Sequence, residues 1–114
     1  MADSDIAWLS ATELVAAYQQ RSLSPVEVTE TMLERIDTFN PLLNAFTDIT
    51  PDRARTAAKD AEAAYANGSA GPMAGVPITI KDVAFTAGIR TARGSKIYAD
   101  DVPDFDSPVV SRQL

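Results

Sequence analysis

The sequence contains no histidine and no cysteine. Without cysteine there are no disulfides, no thiolate zinc site and no thiol nucleophile. Without histidine, a Ser-His-Asp arrangement and the zinc-helix motif are excluded, and the commonest general base is missing. Positive charge is scarce as well: 10 Lys and Arg against 16 Asp and Glu leave a net charge of -6. That balance supplies no electrostatic footprint for nucleic acid, and an anionic membrane surface repels it. No apolar run reaches the length of a membrane span, and the start Met1-Ala2-Asp3-Ser4-Asp5 is acidic where a signal peptide is basic. A cytoplasmic location is the resulting expectation. The chain also lacks Gly-x-Gly-x-x-Gly and any Gly-Lys-Ser or Gly-Lys-Thr loop, so nucleotide binding has nothing to rest on and no cofactor is expected.

What is present is ordinary globular composition: 114 residues, 46% apolar and 23% charged, enough for one core and no more. Ser10-Ala11-Thr12-Glu13 has capping-box spacing and predicts a helix over 11–21 with Leu14, Val15 and Tyr18 on its apolar side. Ser24-Pro25-Val26-Glu27 repeats the signal and predicts a helix over 25–39, with Val28, Met32, Ile36 and Phe39 at helical spacing. Asn40-Pro41 should stop it. Alternation between Leu42 and Ile49 fits a short strand. Thr50-Pro51-Asp52 opens a third helix over 51–66, rich in alanine, which Asn67-Gly68 ends.

Next comes Gly71-Pro72-Met73-Ala74-Gly75-Val76-Pro77-Ile78-Thr79-Ile80-Lys81-Asp82. Glycines and prolines punctuate a loop, and then Val76, Ile78 and Ile80 alternate with Pro77, Thr79 and Lys81, predicting a strand over 76–82. Lys81 falls at its carboxyl end, where open α/β folds place ligands. From pattern alone, a solvated strand terminus is the plainer reading. Further on, Gly88 marks a turn and a short helical turn follows Ser95 through Ile97 and Tyr98. The acidic run Asp100 to Asp106 lacks the glycine and terminal glutamate of a calcium loop, so no metal site is expected. It reads as a solvated turn in which Asp106 and Ser107 cap a helix starting at Pro108.

Few chemistries survive these exclusions. Paired carboxylates cannot be selected among the acidic residues without geometry. A lysine used as a base is what remains. Its amine titrates near 10.4 in water, but burial disfavours the charged form and makes a neutral amine available near pH 7. Such an amine can take a proton, through a hydroxyl relay, from a serine attacking a carbonyl.

The segment from Gly71 to Asp82 is followed by Gly88-Ile89-Arg90-Thr91, Arg93-Gly94-Ser95 and Asp106-Ser107-Pro108-Val109-Val110. These blocks in this order resemble the amino-terminal part of the amidase signature family. The helical stretches Leu14 to Tyr18, Ser24 to Val28 and Ala54 to Ala66 are similar too, as is Asn44-Ala45-Phe46. The resemblance spans nearly the whole chain. It implies an α/β fold class: N-terminal helices plus the first strands of a mixed sheet, incomplete here. It also implies a hydrolase that cleaves carboxamides through an acyl-enzyme, with a Ser-cisSer-Lys triad. Lys81 matches the catalytic lysine, and Asp82 beside it is expected to orient or support. Gly94 and Ser95 match a block to which a structural role is given.

In the family both triad serines lie downstream of the lysine in a Gly/Ser-rich stretch, whereas this sequence reaches Ser111-Arg112-Gln113-Leu114 first. Ser95, Ser107 and Ser111 do not stand in that motif. The expectation is a fragment that supplies the lysine alone, is inactive by itself, and associates with a complementary amidase chain or with itself through uncovered strand edges and helix faces. A small amide would bind only in the completed enzyme. The competing readings are a non-enzymatic helical interaction module and the equivalent fragment of a tRNA amidotransferase component. An adaptor has no need of the loop and strand from Gly71 to Asp82.

Overall fold

The computed structural model describes residues 3–113. Two compact units divide the chain, the first ending at Pro77 and the second beginning at Ile78. The first holds α1 (Asp3–Ile6), α2 (Ala11–Gln19), α3 (Pro25–Leu43) and α4 (Pro51–Asn67); the second holds a 3₁₀ turn (Lys96–Tyr98) and α5 (Pro108–Ser111). None of the described helices is long and apolar enough to cross a membrane.

Local capping chemistry starts α2 and α3. At α2 the Glu13 amide donates to the Ser10 hydroxyl oxygen, and the Ser10 amide and hydroxyl both donate to Glu13. These bonds hold the Glu13 carboxyl below its usual range. At α3 the second box forms between Ser24 and Glu27, with Pro25 in the first turn. The Ser24 hydroxyl also donates to Glu62 on α4. At α4 the cap differs from expectation. Thr50 makes no side-chain cap bond, so Pro51 and the alanine-rich sequence carry that start.

Asn40-Pro41 does not stop α3, which continues to Leu43. Proline costs one amide donor and crowds the preceding turn, but here it falls in the last turn, where few bonds are left to lose. The stop is Asn44, left-handed at φ 50° with its amide on the Asn40 carbonyl. The Asn40 side chain then exchanges two hydrogen bonds with the Phe46 backbone. Residues 42–49 therefore form a helix end and its return loop, and the strand expected there is absent.

The core of the first unit comprises Ile6, Leu14, Tyr18, Leu23 and Val28, flanked by Leu9, Ala17, Met32 and Tyr65. The α3 stripe fades along its length: Val28 is fully buried, Met32 and Ile36 are half-buried, and Phe39 is exposed. α4 packs on α3 with Ala58 buried, the close approach that small side chains permit. An ion pair between Arg55 and Glu30 (Nε to Oε1 2.7 Å) spans the two helices at the surface. The hydrogen bonds from Arg55 hold the Glu30 carboxyl below its ordinary range.

The α/β expectation meets its main correction at 76–82. Among the described residues there is no β-strand, only an isolated antiparallel bridge between Thr86 and Ile89. A strand exists through ladder bonds to a neighbour, and no described segment pairs with 76–82. The side-chain alternation is in the sequence, but the partner that would make it a strand is not supplied.

Candidate functional site

Within the first unit, two tyrosines hold the loop that leads towards Lys81. Tyr18 of α2 donates its phenol proton to the Gly75 carbonyl (3.1 Å), and Tyr65 of α4 donates to the Ala74 carbonyl (3.0 Å). Their rings meet at a centroid distance of 5.5 Å. Gly75 has φ +76°, and a Cβ there would fall 2.8 and 2.9 Å from the Pro25 ring carbons and 3.3 Å from Tyr18 Cε2. Glycine is thus required twice, for its backbone conformation and for its lack of a side chain. A groove of about 260 Å³ lies beside this clamp, lined in part by Ser24, Pro25, Glu27 and Glu62. Lys81 does not line it.

Burial, together with the neighbouring Tyr65, pushes the Tyr18 phenol well above its ordinary value. A folded-state value raised above the unfolded one, near 10, contributes stability that is whole below pH 10. As pH rises through the folded-state value the contribution is lost, because the unfolded chain releases the proton first. Urea midpoints between pH 8 and pH 11 should therefore fall less steeply for Tyr18→Phe than for the parent. Parallel profiles for the two proteins would show that Tyr18 is not the coupled group.

In the second unit, Lys81 sits at the head of a tight turn whose Val83 and Ala84 amides donate to the Lys81 carbonyl at 2.7 and 2.9 Å. Its side chain is exposed and makes no hydrogen bond or ion pair among the described residues. The burial that lysine base chemistry requires is not supplied by them. Asp82 is held at two points. Its carboxylate accepts the Ala92 amide (Oδ1, 2.8 Å), and its carbonyl accepts the Arg93 amide (2.9 Å). Asp82 thereby ties the Lys81 turn to the loop at 90–95, a bond that nothing in the sequence pattern announces.

The acidic run is distributed among separate tasks. Asp101 pairs with the Arg93 guanidinium, and its carbonyl accepts the Thr91 amide at 2.8 Å. Asp106 accepts the Ala87 amide at 2.7 Å, so it braces the turn at Gly88 (φ +74°). The expected Asp106–Ser107 cap is corrected accordingly: Ser107 occupies the N-cap of α5 but makes no side-chain cap bond. Ser95 does cap its 3₁₀ turn, accepting the Ile97 amide at 3.2 Å. Of the residues singled out from sequence, Lys81, Asp82, Gly94 and Ser95 all fall in this unit.

A family model described as Amidase matches residues 27–113. The chain belongs to the Amidase family. Among its curated relatives, a glutamyl-tRNA(Gln) amidotransferase subunit of Azoarcus sp. (strain BH72) is 45% identical over 103 residues, 90% of this chain and 21% of the relative. The protein of the same name from Methylococcus capsulatus (strain ATCC 33009 / NCIMB 11132 / Bath) is 41% identical over 100 residues, 88% of the chain and 21% of the relative. That from Burkholderia mallei (strain SAVP1) is 46% identical over 103 residues, with shares of 90% and 21%. This Amidase-family chain thus spans about a fifth of the length of the curated relatives it matches.

Proposed function

We propose that this chain is the amino-terminal part of a single amide-hydrolysing Amidase domain, in which Lys81 is the base of a Ser-cisSer-Lys triad. The observation that carries the reading is the family match over 27–113, which encloses Lys81, Asp82 and the loop held by Tyr65. Both serines, the oxyanion donors and most of the amide pocket belong to the portion that the relatives have beyond this match. That portion, as a complementary chain or a continuation, would lay a strand against 76–82 and bury the Lys81 amine. The Asp82 bonds to Ala92 and Arg93 support a positioning role for that residue. A cytoplasmic enzyme without a cofactor is the setting this chemistry fits.

A second reading is favoured by the relatives' shared name: the equivalent part of a tRNA amidotransferase component that releases ammonia from glutamine. The two readings use the same lysine and differ in substrate. The test joins this chain, or mixes it, with the remaining portion of an Amidase-family protein and follows ammonia release from glutamine, aliphatic amides and aryl amides. The chain alone should release none. Activity on simple amides supports the first reading, and activity confined to glutamine supports the second. Restored folding with no hydrolysis of any of them would overturn both.

A further inference from the structure

We propose that Arg93 is a positioning residue for Lys81, locking the turn that carries it onto the loop at 90–95. The inference rests on the reading of Lys81 as the base, and it adds a residue to which that reading gave no role.

The connections run outward from the lysine. The Lys81 carbonyl is turned by the Val83 and Ala84 amides, and the next residue, Asp82, receives the Ala92 amide on its carboxylate and the Arg93 amide on its carbonyl. Arg93 is left-handed at φ 57°, a conformation that an L-residue holds only when its surroundings impose it. Arg93 and Gly94 (φ 66°) are the two central residues of a turn closed by the Ser95 amide on the Ala92 carbonyl (2.9 Å), and the Arg93 side chain anchors that turn to its surroundings. The guanidinium stacks 3.6 Å from the Tyr98 ring centroid and 5.0 Å from that of Phe85, and it pairs with Asp101. Phe85 lies in the segment following Lys81, Tyr98 closes the 3₁₀ turn, and Asp101 receives the Thr91 amide. One arginine therefore joins separate stretches of the unit, and its own backbone amide bonds directly to the residue after Lys81. Arginine suits this place because its planar group stacks and pairs at once, which an ammonium cannot do as well.

The test uses the full chain and two variants. In Arg93→Met, which keeps an apolar stem and removes the cation, amide exchange at Val83 and Ala84 should accelerate at least about tenfold, and the Lys81 and Asp82 amide resonances should move. The Val110 resonance should stay in place. Asp101→Asn keeps the stacked guanidinium, loses the ion pair and should shift the same turn to a smaller extent. A turn at 81–84 that is unchanged while 90–101 shifts would overturn the proposal. If Arg93→Met unfolds the whole unit, Asp101→Asn decides the matter: movement at Lys81 and Asp82 in a folded unit supports positioning, and none refutes it. In the assembled enzyme, Arg93→Met should lower kcat by about 10- to 100-fold with KM changed less than about 2-fold. An equal rise in KM would mark a role in substrate binding instead and overturn positioning. Should Lys81→Ala leave activity intact, the functional reading fails while the exchange result stands, so the two failures are distinguishable.

Discussion

Lys81→Ala is expected to lower amide hydrolysis by the assembled enzyme by about 10²- to 10⁴-fold, the range that a positioned proton-transfer group contributes. The expectation rests on the proposed reading of Lys81 as the base, and this chain offers few other groups for that role. It has neither histidine nor cysteine, and lysine occurs only at 59, 81 and 96. Lys59 lies within α4 and Lys96 opens the 3₁₀ turn, so alanine at either should leave kcat unchanged. Lys81→Arg should not rescue activity, since a guanidinium stays protonated at any working pH and cannot accept the serine proton. The loss should appear in kcat with KM little altered, because a base acts on the transition state and contributes little to ground-state binding. Steady-state ammonia release by the parent and these variants makes the measurement. Activity that survives Lys81→Ala would remove this residue from the mechanism whatever the family match.

Gly75→Ala should destabilise the first unit by about 2–5 kcal/mol. Two costs add. A left-handed backbone penalises an L-residue by about 1–2 kcal/mol, and forcing a methyl into occupied space costs about 1–3 kcal/mol more. The second cost applies because the obstacle is the Pro25 ring at 2.8 Å, which is rigid and fixed in the first turn of α3. Gly68 separates the two contributions. It has φ +77°, and a Cβ added there would have nothing within 4 Å, so Gly68→Ala should cost only the backbone share. Urea unfolding followed by helical circular dichroism compares them directly. Equal losses at the two positions would show that Gly75 does not wedge against Pro25.

The elements legible in the sequence are those whose cause is local. Both capping boxes lie within four consecutive residues, and both form. The 3₁₀ turn after Ser95 is set by the same short-range chemistry, whereas the helix from Pro108 starts without a side-chain cap bond, on the proline in its first turn. Stops are less legible than starts. Pro41 is a strong signal, yet the helix ends where Asn44 can turn left-handed and the Asn40 side chain can reach Phe46. The Tyr18 and Tyr65 clamp is out of reach because its acceptors are backbone carbonyls, which no side-chain pattern encodes, and Tyr18 reaches across 57 positions to find its own. Asp106 shows the limit from the other side: its position before a helix favours a cap, but the Ala87 amide competes for the carboxylate and holds it.

By itself the sequence determined where α2 to α5 begin, which side-chain chemistries residues 1–114 cannot contribute, and that Lys81 stands in a segment of amidase type. Tertiary structure decided the rest: that Gly75 must be glycine, that Asp82 binds the loop at 90–95, and that the Arg93 side chain meets Phe85, Tyr98 and Asp101. It also decided that 76–82 is unpaired among the described residues. The reason is common to all of these. Helix starts are satisfied by neighbours three residues away, whereas strands, clamps and stacked cations are satisfied only by groups outside that window, which the fold of the chain must bring together.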